Sequence, residues 1–305
     1  MVKAKIIGKI ILNDSQINKL AELGVTDIAK SNPNNRDDAA EIIRRIDDAE
    51  AIIINISTYI SEEVIQNCPK LRFIQTWSTG IDNIDVRAAE KRKIIVKNVP
   101  GFSTESVAEK TIGLMIFIAN RLREANLDVK VGNWNYTKFQ GMELNRKILC
   151  IIGKGKIGTR VGELASAFGM TPVFANSKTT KEELRNRLSQ ADFISLHCPY
   201  NENTHHLIST YEFNSMKKSV YFVNNARGGI VDEVAFANAL DSGIIEAASI
   251  DVFEQEPPKK DNVLLNHPKV FVTPHCAWNT KEAVQKLTDV CIENLTEYFV
   301  HCSTG

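Results

Sequence analysis

Arg227, Glu256 and His275 follow one another along the chain behind the run Gly153-Lys154-Gly155-Lys156-Ile157-Gly158. An arginine carries a permanent planar cation that meets a carboxylate bidentately. A histidine gives and takes a proton near neutrality, and a neighbouring carboxylate favours its charged form. Glycines at this spacing let a backbone turn cradle a pyrophosphate. Together these groups point to hydride transfer between a dinucleotide and a small 2-keto or 2-hydroxy acid. Each has a plainer reading when taken alone. Arg227 can cap a turn before Gly228-Gly229, Glu256 can be a solvated loop acid before Pro257-Pro258, and His275 can be a satisfied turn histidine. At the ends of strand segments 220–229, 247–257 and 270–275, all beyond one dinucleotide loop, the joint chemical reading is preferred.

The elements that must position these residues are legible as two series. Strand patterns at 5–10, 51–56, 71–76 and 94–98 alternate with helical patterns at 15–23, 61–67 and 85–92, which predicts a parallel sheet. A second set of strands is predicted at 147–152, 171–175, 193–196, 220–224, 247–251 and 270–273. Two sheets mean two lobes, as 305 residues at 43% hydrophobic composition also suggest. A helix over 106–122, opened by the capping cluster Ser103-Thr104-Glu105-Ser106, is long enough to cross from one lobe to the other. Another capped amphipathic helix is expected over 281–299, and hinges at 98–101 and near 278–280. No internal repeat is present.

The glycine run follows the apolar strand Ile148-Leu149-Cys150-Ile151-Ile152 and opens a helix through 160–168. Gly153 would permit the turn, Gly155 a close backbone approach and Gly158 helix–strand packing, with the pyrophosphate on the free N–H groups around Lys156 and Ile157. The next strand should end in a carboxylate if both adenosine ribose hydroxyls are gripped. Here it ends in Asn176-Ser177-Lys178. A neutral amide, a hydroxyl and a cation suit a 2′-phosphate, so NADP is preferred over NAD. The plainer alternative is that Asn176 bonds the ribose and Lys178 is a solvated surface lysine.

Composition narrows the partners. Thirty-seven basic and 37 acidic side chains cancel, so nothing draws the chain to nucleic acid or an anionic membrane, and a small ligand is the expected partner. No apolar stretch approaches the roughly 20 residues of a spanning helix. The start, Met1-Val2-Lys3-Ala4-Lys5-Ile6, reads as a strand rather than a secretion signal, which gives an expected cytoplasmic location. Cys68, Cys150, Cys198, Cys276, Cys291 and Cys302 show neither disulfide nor zinc spacing, so no metal is expected. Cys198 and Cys276 adjoin expected site residues, but a catalytic cysteine is disfavoured.

At these residues the chain resembles the D-isomer-specific 2-hydroxyacid dehydrogenases over most of its length. Val223-Asn224-Asn225-Ala226-Arg227-Gly228 is similar to their arginine segment, Asp251-Val252-Phe253-Glu254-Gln255-Glu256-Pro257 to their glutamate segment, and Thr273-Pro274-His275 to their histidine segment. The resemblance implies an α/β protein with a Rossmann-type doubly wound dinucleotide domain, 99–279, inserted in a flavodoxin-like substrate domain, 1–98 plus 280–305. It implies catalytic roles for Arg227, Glu256 and His275. It further implies that the loop beginning Ser78-Thr79-Gly80 holds the substrate carboxylate through backbone N–H groups. Thr104 would lie near the nicotinamide. His197-Cys198-Pro199, Thr204 and Ala226 would line the cofactor, and Asp251 would bind the carboxamide. Lobes that close around the ligand and a homodimer built on the cofactor domain belong to the same expectation, as does reduction of acids such as glyoxylate and hydroxypyruvate.

Two departures stand out: Asn176 replaces the common acid, and Lys110 follows Glu109 where a neutral residue is usual. The end at Gly305 leaves out the regulatory domain of long phosphoglycerate dehydrogenases, so serine-type control is not expected. The alternative function is a dinucleotide-sensing corepressor-like protein with little turnover, since the same fold and triad occur there. Formate or phosphite oxidation is disfavoured, because formate enzymes of this superfamily usually carry an amide at the Glu256 position.

Overall fold

Short β-branched strands separated by capped helices build two parallel sheets. The computed structural model describes residues 3–25, 27–28 and 38–303, with the last bounds applying to the backbone; Met1, Val2, Gly305 and the Cys302 side chain lie outside what is described. The chain divides into two compact units, Met1–Phe102 with Thr280–Gly305, and Ser103–Asn279.

In the first unit, β1 (Ala4–Ile7), α1 (Asp14–Glu22), β2 (Asp27–Ile28), α2 (Ala39–Ile46) and β3 (Ala51–Ile54) lead into α3 (Glu62–Asn67), β4 (Phe73–Thr76), α4 (Val86–Lys91) and β5 (Ile95–Lys97). All strand pairings are parallel, in the order β2-β1-β3-β4-β5, which is the flavodoxin-like order. Each helix begins at a side chain that relieves its orphan N–H groups. Asn13 and Gln16 form a capping box, and Asp38, Ser61 and Asp85 accept from Glu41, Val64 and Ala88 N–H. Strand β3 is buried along its whole length, as a central parallel strand covered on both faces must be. On one face Ile7, Ile52, Ile54 and Ile74 pack with Ile42, Ile46, Val64 and Ile65.

The second unit begins with α5 (Thr104–Ala119) and α6 (Leu122–Lys130), then runs β6 (Ile148–Ile152), α7 (Lys156–Ala167), β7 (Thr171–Ala175), α8 (Lys181–Leu188) and β8 (Phe193–Leu196). It continues through α9 (Thr210–Asn214), β9 (Val220–Asn224), α10 (Glu233–Asp241), β10 (Ile245–Ile250) and β11 (Val270–Val272). Its six parallel strands lie in the order β11-β10-β9-β8-β6-β7. The direction of winding reverses at β6, so β6 and β8 flank the switch point where open α/β sheets bind ligands. The sheet is covered on both faces. Leu149, Ile151, Phe193 and Val223 meet α5 and α7 through Ala108, Met115 and Val161. Cys150, Ile194, Leu196 and Phe222 meet α8, α9 and α10 through Leu188, Phe213 and Phe236.

The helix expected over 106–122 is α5, which ends at Ala119, and a second helix not expected from the sequence, α6, starts at Leu122. Arg121 adopts φ +51°, a left-handed conformation that ends the first and caps the second. The whole of α5 belongs to the second unit, so it packs there rather than crossing from lobe to lobe. Ser103 makes no side-chain cap bond, and the Ser106 hydroxyl instead bonds the Ser103 and Trp278 carbonyls at 3.1 and 3.2 Å.

The last helix, α11 (Lys281–Ser303), returns the chain to the first unit and runs four residues beyond its expected end. There Thr288 receives the Trp77 indole N–H at 2.9 Å, Asn294 donates to Gln75 at 2.9 Å, and Tyr298 stacks on Phe73 at 4.6 Å.

Candidate active site

The glycine loop sits at the C-terminal edge of β6, and its three glycines meet three different constraints. Gly153 has φ +110°, and a Cβ there would lie 2.5 Å from the His197 and Cys198 backbone at the end of β8. A Cβ on Gly158 would lie 1.9 Å from the Gly153 carbonyl oxygen, so this position must be bare for α7 to pack. A Cβ on Gly155 meets nothing within 4 Å. That open space faces the start of α7, whose N-terminus has no side-chain cap. Unpaired N–H groups at a positive helix end beside an empty approach fit a dinucleotide pyrophosphate.

Beyond β7, the turn at Asn176 has its acceptors turned inward. Asn176 Oδ1 accepts from Lys178 N–H at 2.9 Å, and its carbonyl accepts from Thr179 N–H at 2.9 Å. The Asn176 N–H donates to Thr179 Oγ1 at 3.0 Å. Asn176 Nδ2, the Ser177 N–H and hydroxyl, and the Lys178 ammonium have no partner among the described residues. All four can donate to an anion. With a cation and no carboxylate, the turn matches an anion better than the pair of ribose hydroxyls that an acidic side chain would grip.

Arg227, Glu256 and His275 leave the edges of β9, β10 and β11 and come together in the second unit. His275 Nδ1 meets Glu256 Oε2 at 2.7 Å, while its Nε2 has no hydrogen-bond partner among the described residues. Burial alone raises the Glu256 carboxyl. The hydrogen bond and charge of His275, the Phe253 N–H and the charge of Arg227 outweigh it and hold the group below its ordinary 4.5. Gly228 explains how the arginine loop comes so near, since a Cβ there would lie 1.8 Å from the Phe253 carbonyl carbon. Asn224 shapes that loop by accepting from Ala226 N–H and donating to the Arg227 carbonyl, both at 3.0 Å.

His275 itself has φ +49°, unfavourable for a residue with a Cβ, and its loop is fastened accordingly. Its N–H reaches the Asp251 carbonyl at 2.7 Å, and its carbonyl receives the Trp278 indole at 2.9 Å. Asp251, 1% exposed, accepts at Oδ1 from Thr273 Oγ1 (2.5 Å) and Cys276 N–H (2.9 Å), and at Oδ2 from Ala277 N–H (2.7 Å). From α5, Ser106 bonds the Trp278 carbonyl and Lys110 Nζ the Cys276 carbonyl at 2.8 Å. The organising roles of Asp251, Ser106 and Lys110 were not read from the sequence. The available signal was a pair of polar side chains one helical turn apart on a largely apolar helix.

Of the remaining predicted site residues, Thr104 opens α5 and His197, Cys198 and Pro199 leave β8. Desolvation pushes the His197 imidazole down to about 3 and the Cys198 thiol up to about 11, so both are neutral at physiological pH. Thr204 Oγ1 is committed to its own loop, donating to the Pro199 carbonyl at 2.7 Å. In the first unit, the backbone N–H groups of Ser78, Thr79 and Gly80 donate to nothing among the described residues. Their loop is held by Ser78 Oγ on the Gly80 carbonyl at 2.6 Å and Thr79 Oγ1 on the Val99 carbonyl at 2.9 Å. His205 and His206, read from sequence as plain loop residues, stack at 4.0 Å, and His206 bonds Glu254 at 3.0 Å. Among the described residues no group of side chains could hold a metal ion, and no helix is long and apolar enough to cross a membrane.

A family profile described as "D-isomer specific 2-hydroxyacid dehydrogenase, NAD binding domain" matches residues 112–277. The chain belongs to this family. Among similar members, a D-3-phosphoglycerate dehydrogenase of Methanocaldococcus jannaschii is 37% identical over 93% of this chain and 55% of its own length. A hydroxypyruvate reductase of Blautia hydrogenotrophica is 35% identical over 86% of this chain and 85% of its own. A solved structure of an acyclic imino acid reductase in complex with NADPH and D-Arg superposes with a TM-score of 0.89 at 29% identity, covering 98% of each chain. The chain spans about half the length of several phosphoglycerate dehydrogenases that it matches. In the 2-hydroxyacid dehydrogenase family the profile is that of an NAD-binding domain, and a structural neighbour holds NADPH, so the glycine loop and the turn at Asn176 lie within a nicotinamide dinucleotide fold.

Proposed function

We propose that the protein is an oxidoreductase that interconverts small 2-keto acids and D-2-hydroxy acids, using NADPH in preference to NADH. The reading is carried by one observation: His275 Nδ1 is held by Glu256 at 2.7 Å beside Arg227, leaving Nε2 free at the C-terminal edge of a doubly wound sheet. A nicotinamide dinucleotide held at Gly153, Gly155 and Gly158 would supply the hydride for the keto carbon. His275 Nε2 delivers the proton to the carbonyl oxygen during reduction and takes it back during oxidation. Glu256, its carboxyl held below the ordinary value, fixes the ring through its hydrogen bond to Nδ1. Arg227 holds the substrate carboxylate and polarises the carbonyl, its charge present at every working pH. Within the first unit, the N–H groups of Ser78, Thr79 and Gly80, which have no partner among the described residues, are proposed to give that unit its own affinity for a carboxylate.

The preference for NADPH is supported by the donor-lined turn at Asn176. Asn176→Asp restores an acceptor and a negative charge, so it should move the ratio of kcat/KM values toward NADH by about tenfold or more. The second unit is also proposed to form a homodimer. Leu122, Leu127, Val129, Val131, Trp134 and Tyr136 are all exposed, the last two at 87%, an apolar concentration unusual for a solvated surface.

The functional test is a panel of glyoxylate, pyruvate, hydroxypyruvate and phenylpyruvate with NADPH and NADH, read as kcat/KM. Turnover of at least one acid, with a D-configured product where the product is chiral, is expected. Binding of either cofactor with no turnover on any of the four acids would remove the proposed activity.

A further inference from the structure

The turn after β7 is braced from behind by a cation. Arg187, on α8, donates through Nη1 to the Phe174 carbonyl and, at 3.0 Å, to Thr179 Oγ1. Thr179 Oγ1 in turn accepts the Asn176 N–H, so guanidinium, hydroxyl and turn form one connected unit. Arg187 is half-buried, and among the described residues its Nε and Nη2 have no hydrogen-bond partner and it has no ion-pair partner. Glu183, on the same helix, feels the charge of Arg187, but its carboxylate is engaged with the Thr180 N–H at 2.8 Å in a capping box. With Glu183 acting on it only through its charge and no ion pair among the described residues, the partly desolvated Arg187 cation is incompletely compensated, and a bound anion would add to its stabilisation.

The same turn keeps four donors without a partner among the described residues: Asn176 Nδ2, the Ser177 N–H and hydroxyl, and the Lys178 ammonium. We propose that Arg187 is a specificity-determining residue for the cofactor, its guanidinium supplying the charge behind a donor-lined turn that selects a 2′-phosphorylated adenosine over its 2′-hydroxyl counterpart. The inference rests on the dinucleotide reading of the second unit and adds a residue that lies outside the glycine loop and the turn itself. Lys154 does not share this role, because its ammonium sits over the Phe174 ring at 5.1 Å and is not bonded to the turn.

The test is calorimetric titration of the full chain with adenosine 2′,5′-bisphosphate and with 5′-AMP, which needs no turnover. Wild type should bind the bisphosphate more tightly. Arg187→Gln, which keeps donors for the turn but removes the charge, should weaken the bisphosphate by about tenfold or more and leave 5′-AMP within about twofold. Arg187→Lys should retain most of the discrimination. Raising salt from about 50 to about 300 mM should weaken the bisphosphate more than 5′-AMP in wild type, and the difference should shrink in Arg187→Gln. Wild type that binds neither the bisphosphate nor 5′-AMP would overturn the dinucleotide reading and this inference with it. Equal binding of the two ligands by wild type would overturn the phosphate selection. A wild-type preference that survives Arg187→Gln, or an equal loss of both ligands in that variant, would leave the dinucleotide reading standing and overturn only the role of Arg187. Should Arg187→Gln fail to fold, the salt series on wild type and Arg187→Lys decides: equal salt sensitivity for the two ligands overturns the proposal.

Discussion

Glu256 links the chemistry of the site to the stability of the fold. Its folded carboxyl lies below the ordinary 4.5, so the unfolded chain binds more protons in that window. The resulting stabilisation is fully present above pH 4.5 and is lost as pH falls through the lower folded value. Thermal midpoints measured from pH 5 to pH 3 should therefore fall more steeply for wild type than for Glu256→Gln. Parallel curves would show that the carboxylate is not coupled to folding. Asp251 acts on His275 at one remove. Asp251→Asn turns an amide donor toward N–H groups that now meet a carboxylate, which should cost about 1–3 kcal/mol in urea unfolding and lower kcat by loosening the His275 loop. That Arg227, Glu256 and His275 would meet was legible, because each follows a strand of one series and parallel strands deliver their ends to one edge. The bonds of Asp251 were not, because its donors lie 22 to 26 residues away in a loop whose left-handed turn no local pattern announces.

At the scale of elements, the glycine loop separates two kinds of constraint that look alike in sequence. Gly158→Ala drives a Cβ into the Gly153 carbonyl, so α7 must move and both stability and cofactor affinity should fall. Gly155→Ala meets open space, so the thermal midpoint should change little while the cofactor KM rises, because the methyl group occupies the proposed approach of the pyrophosphate. A Gly155→Ala protein with unaltered KM would argue against that approach. Most strand positions were legible to within a few residues because their apolar runs are short and bounded, whereas the two-residue edge strand β2 has no such run and was missed. Helix α6 was missed, and the end of α5 was placed three residues late, because Arg121 is a good helix former and only its left-handed φ marks the break.

For the whole molecule, two sheet orders follow from one rule. Parallel strands need crossover helices, and apolar faces on both sides of each sheet provide the seats for them. The alternation of strand and helix signals therefore disclosed the α/β class directly, whereas the switch point at β6 had to be seen. The surface of α6 is what a single chain leaves unexplained, since none of its residues is buried. If it is the dimer face, light scattering should give a mass near 68 kDa, twice the 34.1 kDa of one chain, and Leu127→Asp should shift it toward the monomer. A monomeric wild type at micromolar concentration would reject the interface.

The proposed reaction turns on the proton carried by His275, and the kcat of His275→Gln at saturating cofactor and keto acid measures it directly. A fall of about 100-fold or more, with cofactor binding unchanged, is predicted. Turnover close to that of wild type would contradict the mechanism.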